Sequence, residues 1–149
     1  MIPCVAKAEE ELARVRLFAC LNARQLRRLA RTVKVREFRP GVEVVQEGSM
    51  SGVGFFIVTD GEASVTVDGS EVATIGPGDH FGELALITEG ERTATVTAVT
   101  RLRCLVIPFW DFRRFAKENP DVSWALLQHL AGLLVGERER RARAASLHV

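Results

Sequence analysis

Between residues 33 and 108 the chain is cut into short extended segments by turn residues at nearly even spacing. Segments 33–38, 43–46, 54–59, 62–67 and 71–75 are separated by Arg39-Pro40-Gly41, Glu47-Gly48-Ser49, Asp60-Gly61 and Asp68-Gly69, and Gly76-Pro77-Gly78-Asp79 closes the series. Each break supplies Gly, Pro or Asp where a reversal wants positive φ, a pre-set φ or a side chain that bonds its own backbone. Asp60-Gly61 and Asp68-Gly69 are the dipeptides of two-residue hairpin turns. Along 62–67, Ala63, Val65 and Val67 share one face and Ser64 and Thr66 the other, the period-two mark of a half-buried strand. Two more segments, 95–99 and 102–107, bring the legible strands to seven, close to the eight of a jelly-roll. Many short strands at regular intervals argue for a sandwich or barrel, so the expected fold is mainly β, an eight-stranded antiparallel jelly-roll (a double-stranded β-helix).

Helical patterns flank this region. A short helix is expected over 9–15, followed by an apolar stop at 17–21. Asn22, three residues before Gln25, predicts a capping-box start for a helix through Ala30. Leu21, Leu26 and Leu29 then face inward and Arg24, Arg27, Arg28 and Arg31 face water. Arginines on the polar side of an amphipathic helix read as its solvated face rather than as a nucleic-acid patch. Pro108 ends the last strand, and Phe109, Phe112 and Phe115 fall at helical spacing in a helix over 110–117. Asn119-Pro120-Asp121 starts a second helix, 122–143, with two apolar stripes: Trp124, Leu127, Ala131 and Leu134, and Leu126, Leu130 and Leu133. So wide an apolar surface wants partners on two sides, one being the barrel and the other a second subunit, a following domain or a bound ligand. The organisation is a single domain: 1–32 helical lead-in, 33–108 β-roll, 109–143 C-terminal helices, 144–149 tail.

Composition removes several function classes. The 149 residues suit one domain with a real core, and 47% apolar with 26% charged residues is globular. A formal net charge of +1 provides no basic field to recruit nucleic acid. No apolar run reaches bilayer length and no signal layout opens the chain, so neither nucleic acid nor membrane is an expected partner and the expected location is cytoplasmic. Cys4, Cys20 and Cys104 are odd in number and widely spaced, which indicates neither a disulfide framework nor a metal site, and Cys20 and Cys104 read as small buried hydrophobes. No activated nucleophile, Walker loop or convergent carboxylate pair is present, so the expectation is a non-enzyme with no catalytic residues, no metal and no cofactor. His80, alone in a turn without a carboxylate, reads as a bystander.

The chemistry is concentrated in residues 81–96. Gly82 permits a tight turn or a close approach to a ligand, and 84–87 favour a helical turn that 88–90 stop. The free N–H groups and positive dipole end of such a turn attract an anion. Arg92 opens an alternating run in which Ala94, Val96 and Ala98 oppose Thr93, Thr95 and Thr97. Placed at a strand start, its guanidinium folds back over the helix N-terminus as a phosphate cradle. A carboxylate beside a phosphate needs hydroxyl donors of its own, and a ribose supplies them to Glu83. The ligand this describes is a nucleotide, and a cyclic one fits best.

Phe81-Gly82-Glu83-Leu84-Ala85-Leu86-Ile87 followed by Glu91-Arg92-Thr93-Ala94-Thr95-Val96 resembles the phosphate-binding cassette of cyclic nucleotide-binding domains, as in the regulatory subunits of cAMP-dependent protein kinase and the catabolite activator protein. The likeness extends from Leu17 to the helix after Pro120. It implies that Arg92 pairs with the cyclic phosphate, that the backbone at Leu84, Ala85 and Thr93 lines the phosphate pocket, and that Glu83, with Gly82 beside it, takes the ribose. It further implies a C-terminal helical lid closing over the base. Trp124 is the candidate cap, with core packing as its alternative. Thr93 accompanies cGMP selectivity in some relatives but also occurs in cAMP binders, so the expected ligand is cAMP or cGMP, with cAMP favoured. Where the family often places an acid to orient the arginine, this chain has Ser64, which leaves Arg92 less firmly preset.

No residues remain after the C-terminal helices for a helix-turn-helix, so the expected protein is a sensor that stands alone or acts on a separate partner. The expected partners for its apolar helix are a second copy, making a homodimer, or a separate effector. The competing reading is a ligand-free protein-interaction or dimerisation module on the same fold.

Overall fold

Residues 55–58 are apolar without interruption, and the strand they form is buried on both of its faces. The computed structural model describes residues 4–48, 54–82 and 92–146. Helix α1 (Val5–Ala13), a 3-10 turn (Arg16–Phe18) and α2 (Ala23–Ala30) lead into the strands. These are β1 (Lys34–Phe38), β2 (Glu43–Val45), β3 (Gly54–Asp60), β4 (Ala63–Val67), β5 (Ser70–Ile75), β6 (His80–Phe81), β7 (Thr95–Ala98) and β8 (Leu102–Pro108). Helices α3 (Phe109–Glu118) and α4 (Pro120–Ser146) follow. Among the described residues the chain is mainly β, with two antiparallel sheets ordered β1-β8-β3-β6 and β2-β7-β4-β5.

Side-chain alternation in β3 and β8 divides the core in two. Phe56, Val58, Cys104 and Val106 point between the sheets, where they meet Val45, Ala63, Phe81, Val96 and Ala98. Phe55, Ile57, Leu105 and Ile107 point the other way, into a layer of helices built from Leu12, Phe18, Leu29, Phe112, Phe115, Val122 and Leu126. A strand covered on both faces carries no polar alternation, which is why 55–58 reads as a continuous apolar run.

The two Asp-Gly turns behave differently. Asp68 (φ 51°) and Gly69 (φ 78°) both take positive φ, and Val67 pairs with Ser70, so β4 and β5 form the expected tight hairpin. Asp60-Gly61 makes no hairpin. It carries the chain from β3 in one sheet to β4 in the other, and the corner is held by residues 99–100: Val99 N donates to Glu62 O at 2.9 Å and Glu62 N to Thr100 Oγ1 at 3.0 Å. Gly76 to Asp79 does form a turn, closed by Asp79 N to Gly76 O at 3.0 Å, and it delivers the two-residue strand β6.

The capping box at α2 is present in both directions, Gln25 N donating to Asn22 Oδ1 and Asn22 N to Gln25 Oε1, each at 2.9 Å. Gln25 also ties this helix to the α3–α4 corner, its Nε2 donating to Asn119 Oδ1 at 2.7 Å while Asn119 Nδ2 donates to Phe115 O at 2.8 Å. Two expectations for this region are corrected. Helix α1 begins at Val5, earlier than position 9, because Ala8 and Leu12 are its buried face. Cys20 is exposed, since Leu17, Phe18 and Leu21 take the inward positions around the 3-10 turn. On α4, Val122 and Leu126 are buried, whereas Trp124, Leu127 and Leu134 are 63%, 56% and 68% exposed. No described helix is long and apolar enough to cross a membrane.

Candidate functional site

Arg92 is 5% exposed, a burial that an arginine adopts only where its charge has work or partners. It lies three residues before β7 instead of at a strand start, because pairing with β4 begins only at Thr95. Its backbone oxygen accepts from Gly48 N at 2.9 Å, and its Nη2 donates to the Gly54 carbonyl at 3.4 Å. Gly82 sits against the same guanidinium with φ +102°, and a Cβ there would lie 2.8 Å from Gly54 O and 2.9 Å from Arg92 Nη1. Only glycine allows the end of β6, the start of β3 and the arginine to meet so closely.

Gly82, Arg92 and Thr93 line one end of a cavity of about 320 Å3. Val65 from β4 and Ala73 and Ile75 from β5 supply an apolar wall, and His129 and Leu133 of α4 border it from the helical side. The volume falls near the lower bound for small-molecule sites, roughly 300–1,000 Å3. A cationic end with adjacent backbone groups and an apolar body accommodate a ligand with an anion at one end and a flat, weakly polar remainder.

A second, larger cavity of about 620 Å3 lies beside the first, bordered by Arg16 and Leu17, by Gly78 and Asp79, and by Ala125, Gln128 and Gly132 of α4. His80, His129 and Leu133 border both cavities and so form the wall between them. The rings there are in series: Phe112 stacks on Phe55 at 4.8 Å, Phe55 meets His80 at 5.0 Å and 31°, and His80 meets His129 at 5.1 Å and 59°.

Of the residues singled out in the sequence, Gly82, Arg92 and Thr93 are brought together at the smaller cavity. Glu83, Leu84 and Ala85 lie outside the described residues. Trp124 is not brought there; it points to solvent from α4, and His129 and Leu133 hold the cavity-facing positions. Ser64 pairs with Thr74 and Thr97 in the middle of its sheet, and a backbone carbonyl, Gly54 O, is one acceptor for the Arg92 guanidinium. His80 lies in β6 instead of in a turn, a half-buried ring tilted at 31° against Phe55. Its setting was illegible in sequence because Phe55 and His129 are distant along the chain. Between the sheets, burial pushes the Cys104 thiol up from 9.0 to about 12, against the opposing pull of Arg103 and Arg36. It is a packing residue, as its apolar context suggested.

Comparison with known proteins agrees with this geometry. The family model for the cyclic nucleotide-binding domain matches residues 35–119, more than half of the chain. A cAMP-dependent protein kinase regulatory subunit of Yarrowia lipolytica is 37% identical over 105 residues, covering 69% of this chain and 28% of that protein. A cGMP-dependent protein kinase of Toxoplasma gondii is 34% identical over 102 residues, 68% of this chain and 10% of that one. The chain thus spans less than a third of the length of these curated relatives. Among solved structures, the regulatory domain of Toxoplasma gondii cAMP-dependent protein kinase with cAMP superposes with a TM-score of 0.75 at 27% identity, covering 86% of this chain and 49% of that one. The catabolite activator protein of Thermus thermophilus gives 0.76 at 26% identity, with 87% and 62% covered. By its matched residues, its relatives and its fold, this chain belongs to the cyclic nucleotide-binding domain family.

Proposed function

We propose that this domain is a non-catalytic sensor that binds a cyclic purine nucleotide, cAMP in preference to cGMP, and signals through movement of α4. The observation that carries the reading is Arg92, buried on the wall of an amphiphilic cavity with Gly82 packed against its guanidinium. In this reading the two sheets are the halves of a jelly-roll. The cyclic phosphate pairs with Arg92 and accepts backbone N–H bonds around Leu84, Ala85 and Thr93, and the ribose 2'-hydroxyl is held by Glu83 beside Gly82. The cAMP held by the Toxoplasma regulatory domain supports the preference for adenine. Ligand shifts α4 only by binding one of its positions better than another. The exposed stripe of Trp124, Leu127 and Leu134 then meets a second copy or a separate effector.

Calorimetry with cAMP, cGMP and AMP tests this. Wild-type protein is expected to bind the cyclic nucleotides over AMP, and Arg92→Ala to lose roughly 3–5 kcal/mol of binding free energy, because it strands a buried phosphate charge. Unchanged affinity in the variant removes the assignment. The same exposed stripe favours one other reading, a ligand-free interaction module, which predicts no binding by the wild type at all.

A further inference from the structure

If α4 is to report on the ligand, some side chain of that helix has to meet it. Among the described residues α4 contributes His129 and Leu133 to the cavity that holds Arg92 and Thr93, and of these only His129 carries hydrogen-bonding atoms. With the phosphate at the Gly82–Arg92 end, the purine is left to the space between the apolar wall of β4 and β5 and the face of α4. An imidazole suits that position: it offers a flat π surface to a purine and, when neutral, one donor and one acceptor to a base edge. The ring is also held in place. His80 meets it at 5.1 Å from the opposite element, and His80 is itself fixed by Phe55, which Phe112 stacks upon. His80 directly precedes Phe81 and Gly82, so the support for His129 is continuous with the backbone packed on Arg92. On the far side of the two histidines the cavity of about 620 Å3 leaves space into which this wall can be displaced.

We propose that His129 is the residue through which α4 contacts the bound nucleotide and sets base preference, with His80 positioning its ring, a proposal that rests on the nucleotide-binding reading above. His80 acts through His129. The imidazole wall separates the occupied cavity from the larger one, so filling the first cavity bears directly on α4.

The test is calorimetry of the full chain with cAMP and with cGMP, using wild type, His129→Ala, His129→Gln, His80→Ala and Trp124→Ala, with NMR of the His129 imidazole during cAMP addition. His129→Ala is expected to weaken the preferred nucleotide roughly fivefold, the scale of one lost hydrogen bond, and to change the cAMP-to-cGMP affinity ratio. His129→Gln restores part of the loss. His80→Ala moves the ratio in the same direction, a change that a loss of packing alone would not produce. The imidazole resonances of His129 shift on cAMP addition. Wild type that binds while His129→Ala keeps both affinities overturns this proposal and leaves the nucleotide reading intact, and so does a change confined to Trp124→Ala. Wild type that binds neither nucleotide overturns the nucleotide reading, and this proposal with it. Should His129→Ala fail to fold, the wild type decides: His129 imidazole resonances unmoved by saturating cAMP overturn the assignment.

Discussion

At the scale of single residues, two positions show how the same burial serves different ends. Gly82 is indispensable for geometry: any Cβ collides with the Gly54 carbonyl and the Arg92 guanidinium, and its φ of +102° is strained for other residues. Gly82→Ala is therefore expected to lower stability by roughly 1–3 kcal/mol, seen in urea unfolding, and to weaken cyclic nucleotide binding by displacing Arg92. Cys104 is buried for packing, and its thiol is held up at about 12 by desolvation. A raised acid pKa favours the neutral form in the folded state, so its contribution is complete below the unfolded value of 9.0 and is lost as pH climbs toward about 12. Stability of the wild type should fall across that interval by an amount on the order of 4 kcal/mol more than that of Cys104→Ala, measured by urea unfolding at stepped pH. Arg92 and Gly82 were legible as candidate site residues through the joint pattern of residues 81–96, since neither residue type alone marks a site. His80 and His129 were not, since an imidazole between apolar neighbours carries no mark of what the fold sets against it.

Elements were legible to the extent that their ends carry local chemistry. The Asn22–Gln25 box starts α2 where its side chains dictate, and Gln25 then reaches across to Asn119. Asn22→Ala should cost about 1 kcal/mol in urea unfolding, the usual value of a lost N-cap, with nucleotide affinity unaffected. The type I′ turn at Asp68-Gly69 was equally plain, because positive φ at both positions is a property of the dipeptide. Asp60-Gly61 carries the same letters and yet turns a corner between sheets, since its partners lie at 99–100, beyond the reach of a local rule. Strand β6 escaped the reading because two residues show no period, and its existence depends on pairing with Phe56 and Ile57. On α4 both apolar stripes were visible, but only packing shows that the Leu126 side meets the helical core while the Trp124 side faces solvent.

At the scale of the molecule, the site joins elements that fold around separate cores: Arg92 and the β4–β5 wall belong with the inter-sheet core, and α4 with the helical layer. A ligand spanning that junction ties the two together, so binding should register as global stabilisation. At a ligand concentration one hundred times Kd the gain is about 2.7 kcal/mol, a Tm rise of roughly 5–10 °C for a chain of this size, which a thermal melt with cAMP reads against AMP as control. The sequence by itself determined the β-rich architecture, the start of α2 and the tight turn at Asp68-Gly69, because turn dipeptides, caps and periodicity act over a few neighbours. Only the tertiary structure decided which sheet each strand joined, that Gly54 braces Arg92, and that His129 in place of Trp124 faces the cavity. Those outcomes depend on contacts between residues far apart in the chain, and no local pattern encodes which distant side chain will close a gap.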